Sequence, residues 1–74
     1  MHNAKRLANE INKSLDDLGA PNNIRERSVV LSKILNVSKQ QAWSLLEGQL
    51  MPDEALLQHI TSELEIDLSE PNKK

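Results

Sequence analysis

The stretch "SVVLSKILNVSKQQAWSLLEG", Ser28 to Gly48, decides the fold. Its first half carries Val30, Leu31, Ile34 and Leu35 at the three-and-four spacing that lines one side of an α-helix. Val29, Val30 and Ile34 taken singly favour a strand, but their spacing and the polar residues between them predict a helix. Asn36 then interrupts, and asparagine is one of the few side chains that tolerate a positive φ, so the chain can reverse there in a tight turn. Ser38 with Gln41 three positions on makes a capping-box pattern, which predicts a new helix through "KQQAWSLLE" ending at Gly48.

The flanks are helical too. Upstream, Ala4, Leu7, Ala8, Ile11, Leu15 and Leu18 share one helix face, Asn3 can cap the start, and Gly19-Ala20-Pro21 supplies the stop. In the connection "APNNIRER", Asn23 and Glu26 form another capping-box pattern. Downstream, Pro52 suits the first turn of a helix whose positive end Asp53 and Glu54 complement, with Leu56, Leu57, Ile60 and Leu64 as the buried stripe. Past Ile66 and Leu68 the chain ends in "SEPNKK", expected to fray. The expectation is an all-α bundle of four short helices, or at most five, with residues 1–68 as one domain and 69–74 as a flexible tail.

Two short helices joined by a three- to four-residue turn describe a helix-turn-helix, here over residues 28–48. The motif needs a small residue where the helices nearly touch, and Ser32 is small. It needs a turn residue of unusual φ, which Asn36 supplies. It needs apolar side chains filling the angle from both helices, and Leu31, Leu35, Val37, Ala42 and Leu45 sit at those positions.

Composition bounds what such a domain can do. The 74 residues are 38% hydrophobic and 27% charged, within the range of a folded globular chain. With no cysteine there is neither a disulfide nor a thiolate metal site, and stability must come from packing and caps. There is no signal-like or membrane-spanning apolar run, so the expected location is the cytoplasm, on the nucleoid when bound to DNA. The net charge of −2 is unevenly spread. Residues 1–46 hold seven Lys and Arg against four Asp and Glu, whereas residues 47–74 hold two against seven. One end can present positive potential while the other repels phosphate, which would orient a bound nucleic acid.

On "SVVLSKILNVSKQQAWSLLEG", Pro52 and the amphipathic segment ending "LEID", the chain resembles the phage-repressor-like helix-turn-helix domains of bacterial and phage regulators, the lambda repressor and Cro type. The resemblance covers roughly Ile24 to Leu68. This chain has Ser32 where that family usually has alanine, Asn36 where it has glycine, and Ser28 where glutamine is frequent. The resemblance implies a sequence-specific regulator of double-stranded DNA, repressor-like, whose third helix, Ser38 to Glu47, enters the major groove. Lys39, Gln40, Trp43 and Ser44 then face the groove, with Gln40 against an adenine and Lys39 on a guanine or a phosphate. Ser38 caps that helix where amides can receive a phosphate. Arg25, Arg27 and Ser28 at the start of the second helix are further DNA contacts, the two arginines as phosphate clamps. Trp43, one residue beyond the inward Ala42, is expected to set its ring against the DNA backbone or a thymine methyl. Glu47 is expected to point to solvent. A homodimer on a near-palindromic site is the expected assembly.

Enzyme chemistry has no support in the sequence. His2 and His59 lie far apart, no His, Asp and Glu set has metal-ligand spacing, and two glycines cannot build a phosphate loop. His59, beside an apolar stripe, is expected to be a partly buried structural residue, and Asp16-Asp17 a solvated pair. No cofactor is expected. The competing class is a protein-interaction module or antirepressor that keeps the fold without the DNA function, docking a regulatory protein.

Overall fold

The computed structural model describes residues 4–66, which form α1 (Ala4–Asp17), α2 (Ile24–Leu35), α3 (Lys39–Leu46) and α4 (Glu54–Leu64), with no strand among them. Asn3, His2, Leu68 and the 69–74 tail lie outside the described residues.

The helix boundaries follow from side-chain and backbone capping chemistry. Asn23 accepts from the backbone N–H of Arg25 and Glu26, Ser38 from that of Gln41 and Asp53 from that of Leu56, so α2, α3 and α4 each start on a side-chain oxygen. Pro52 is therefore not in the first turn of α4. It precedes the cap, because the Asp53 carboxylate takes the capping position that proline cannot fill, and it is buried. At the other ends, Ala20 N–H donates to the Leu15 carbonyl and Val37 N–H to that of Ser32, each closing over a residue in the left-handed region. Asn36 adopts φ 58° and ψ 48°, so α3 begins after only three intervening residues.

The end of α4 uses a less suitable residue. Glu65 stands at φ 54°, so that Ile66 N–H reaches the Thr61 carbonyl and the Ile66 side chain turns into the core. A left-handed conformation costs an L-residue with a Cβ about 1–2 kcal/mol, part of which glycine returns through its freer unfolded chain. Glu65→Gly is expected to raise stability by about 0.5–1 kcal/mol. A thermal midpoint below that of the parent would show that the carboxylate contributes more than its backbone costs.

The four helices pack into one compact body around Leu7, Ile11 and Leu15 of α1, Leu31 and Leu35 of α2, Ala42, Leu45 and Leu46 of α3, and Ile60 and Leu64 of α4, with Ile66 closing one end. Val37, Leu56 and Leu57 are only half-buried at the margin. Leu18 departs from expectation. It follows the last residue of α1, where no helix covers it, and is 66% exposed.

α2 and α3 share the most extensive interface. Close approach is possible because α2 presents serines inward. Ser28 and Ser32 are buried, and each hydroxyl donates back along its own helix, to the Ile24 carbonyl at 2.8 Å and the Val29 carbonyl at 2.7 Å. His59 of α4 remains exposed overall, yet its Nε2 lies 3.1 Å from the Leu35 carbonyl at the end of α2, a structural contact for that nitrogen's proton.

Polar groups tie the remaining pairs. Asn12 of α1 donates from Nδ2 to the Ala8 carbonyl at 2.9 Å and to the Leu46 carbonyl at 3.2 Å, satisfying an acceptor that the end of α3 would otherwise leave open. The Asn12 Oδ1 in turn accepts from Arg27 of α2 at 2.9 Å. One amide thus links three helices and fixes the direction in which α3 leaves the core.

Candidate nucleic-acid interface

Position along α3 is decided by its inward residues. Ala42 and Leu45 are completely buried and Leu46 nearly so, which turns Lys39, Gln40, Trp43 and Ser44 to the other side. These four side chains line one shallow, open depression of about 430 Å³. Lys39 and Gln40 are exposed, Ser44 is half-buried, and Trp43 keeps 37% of its surface open to solvent. Trp43 is therefore outside the core cluster.

A fifth side chain completes the depression, and sequence reasoning missed it. Gln49 lies beyond the end of α3, where a loop residue has no helical face to be assigned to. Gly48, at φ 73°, turns the chain so that Gln49 N–H donates to the Ser44 carbonyl at 2.9 Å and Gly48 N–H to that of Leu45 at 3.3 Å. That backbone pairing folds Gln49 back along the helix. Its Nε2 also stands 3.5 Å from the Glu47 carboxylate, which is exposed at the helix end as expected. The Gly48 turn brings in Lys5 as well: a Cβ built on Gly48 would lie 3.2 Å from the Lys5 Cα, so this exposed lysine of α1 flanks the C-terminal end of α3.

Ser38 is exposed, and its hydroxyl oxygen accepts from Gln41 N–H at 3.0 Å, which starts the helix. Arg25 is exposed on the first turn of α2 and does not line the depression.

Two expected contacts are corrected. Arg27 is only 5% exposed, and its guanidinium is used inside the molecule. Nε donates to the Pro21 carbonyl at 2.6 Å, Nη1 to the Asn12 carbonyl at 3.2 Å and to Asn12 Oδ1, and Nη2 to Asp16 and to Asn22 Oδ1 at 3.4 Å. A group so engaged cannot clamp a phosphate. Asp16 is correspondingly an ion-pair partner of Arg27, with its side chain 62% exposed, rather than half of a simple solvated pair. Ser28 is 2% exposed and donates to its own helix, so its hydroxyl is unavailable to DNA.

A second open concavity shares no residue with the first. Ser14, Asp17 and Leu18 at the end of α1 face Glu63, Leu64 and Glu65 at the end of α4, giving an acidic rim around two leucines. Such a surface repels phosphate and favours cationic partners. Among the described residues there is no His, Cys, Asp and Glu group able to hold a metal ion, and no helix is long and apolar enough to cross a membrane. Comparison of the chain with family models, curated proteins and solved structures finds no match.

Proposed function

We propose that the protein is a sequence-specific double-stranded DNA-binding regulator, and that α2 and α3 act as a helix-turn-helix with α3 entering the major groove. The observation that carries this reading is the single open face shared by Lys39, Gln40, Trp43 and Ser44 on an eight-residue helix whose opposite side is locked into the core. A short, rigidly braced helix with amides and a cation on its free side suits base-edge readout near its N-terminal end. Gln40 is the adenine reader, and Lys39 serves a guanine or a phosphate. Arg25 and Lys5, both exposed, supply phosphate contacts in place of Arg27. So small an interface needs pairing, and two copies bind half-sites about one helical turn apart.

The test is selection of bound sites from random duplex DNA at low salt. A defined, near-palindromic motif whose affinity falls steeply with added salt is the expected result. On that motif Gln40→Ala is expected to lose about 1–3 kcal/mol and to relax preference at one base pair, whereas Arg25→Ala weakens all sequences alike. Equal losses across all sequences for both variants would remove Gln40 from base reading.

A second reading has its own observation. The acidic concavity beside the exposed Leu18 suits a basic regulatory protein, as a protein-interaction module or antirepressor requires. Absence of any DNA shift at low salt, together with binding to a regulator that is lost in a Leu18→Asp variant, would favour it.

A further inference from the structure

Resting on the DNA reading above, we infer that the depression on α3 is a reader of the pyrimidine 5-methyl group, with the Trp43 ring as its floor and Gln49 as its far wall. The face is unusual for a polar helix surface in having an aromatic ring between two primary amides, Gln40 one turn before it and Gln49 folded back from beyond the helix. A tryptophan left 37% exposed offers an apolar patch that water solvates poorly. In the major groove the only apolar feature on an unmodified base edge is the thymine methyl. The neighbouring amides can engage the donor and acceptor pattern of adenine beside it, so the combined preference is for a step of A·T pairs, with the methyl read by the indole and the adenine by Gln40.

Gln49 is anchored through its backbone. Its backbone is held to the Ser44 carbonyl, and Ser44 itself lines the depression. The wall therefore does not depend on a free loop. The Gln49 Nε2 stands 3.5 Å from the exposed Glu47 carboxylate, at the outer limit of a hydrogen bond. The same geometry predicts that 5-methylcytosine is preferred to cytosine at the position under the ring, because the methyl occupies the same place on either base.

The experiment uses the full chain and the duplex recovered by site selection, with thymines replaced by uracil one at a time. Removing one buried methyl should weaken binding about fourfold at one thymine per half-site and leave the others unchanged. Trp43→Ala, which removes a side chain outside the core cluster, should bind the thymine and uracil duplexes alike, and its helical circular dichroism should match the parent. The emission of the chain's sole tryptophan should shift on binding the thymine duplex and shift less with uracil at the sensitive position. If the selected duplex binds equally well with uracil at every position, methyl reading is overturned while DNA recognition stands. If the thymine preference survives in a folded Trp43→Ala protein, the methyl is read elsewhere and the inference also falls. Failure to bind any duplex at low salt would end both it and the DNA reading beneath it.

Discussion

Arg27→Ala is expected to remove about 2–4 kcal/mol of folding stability, not to weaken a contact with DNA. A chain of 74 residues has about 4–11 kcal/mol in total at the usual stability per residue, so this one side chain accounts for a large share. The loss has two parts. The Pro21 and Asn12 carbonyls and the Asn12 amide oxygen lose a donor in a space that the shorter side chain does not fill. The link from α2 through Asn12 to the end of α3 is also broken, which loosens the helix that carries the proposed interface. The ion pair with Asp16 adds little to this figure, since the carboxylate is 62% exposed and well screened. Asp16→Asn should therefore cost less than about 1 kcal/mol. Arg27→Lys should recover part of the loss only, because an ammonium cannot donate along the several fixed directions of a guanidinium. Thermal or urea unfolding separates the three variants, and the alanine variant should melt about 10 °C or more below the parent. A midpoint within about 2 °C of the parent would show that the buried guanidinium is replaceable by solvent.

The contrast between Arg27 and the helix caps explains what could be foreseen. Asn23, Ser38 and Asn36 were legible because a cap or a left-handed turn is settled within three or four residues, by groups that are neighbours in the chain. The buried stripe of α2 was legible for the same reason, through the three-and-four spacing of Leu31 and Leu35. Burial of Arg27 depends instead on acceptors spread over Asn22, Pro21, Asp16 and Asn12, five to fifteen residues away, which no local pattern announces. A signal did exist. Arg27 stands four residues before Leu31 and eight before Leu35, on the same face as both, and an arginine there must either break the stripe or find buried partners. Ser28 shares that face, so its small size belongs with the helix packing that Ser32 also serves. Gln49 was hidden for the opposite reason: its place is set by a backbone turn that carries a loop side chain onto a helix surface. Pro52 and Asp53 both signalled the start of α4, and the carboxylate prevailed because only it can accept an amide proton.

Gly48→Ala is expected to cost about 2–4 kcal/mol, whereas Gly19→Ala costs about 1–2 kcal/mol, and the difference measures how closely α1 approaches the end of α3. The two glycines form a matched pair. Both follow a helix in the left-handed region, at φ 73° and 79°, and both donate to the carbonyl three residues earlier in the same closing pattern. The backbone penalty for a Cβ is therefore common to them. They differ in surroundings. A Cβ at Gly19 would have no atom within 4 Å, whereas at Gly48 it would lie 3.2 Å from the Lys5 Cα, 3.3 Å from the Lys5 Cγ and 3.5 Å from the Ala4 carbonyl oxygen. The nearest of these belongs to the backbone of α1, which cannot swing aside as a side-chain tip can, so the first turn of α1 or the turn after α3 has to shift. Either movement displaces Gln49 and Lys5 relative to Trp43. If the DNA reading holds, folded Gly48→Ala protein should bind the selected duplex more weakly, while Gly19→Ala retains parental affinity at a similar distance below its melting point. Unfolding curves for the two variants test the structural half independently of any ligand. Equal losses would mean that α1 yields without cost, and that the contact between Lys5 and the end of α3 does not hold the interface in place.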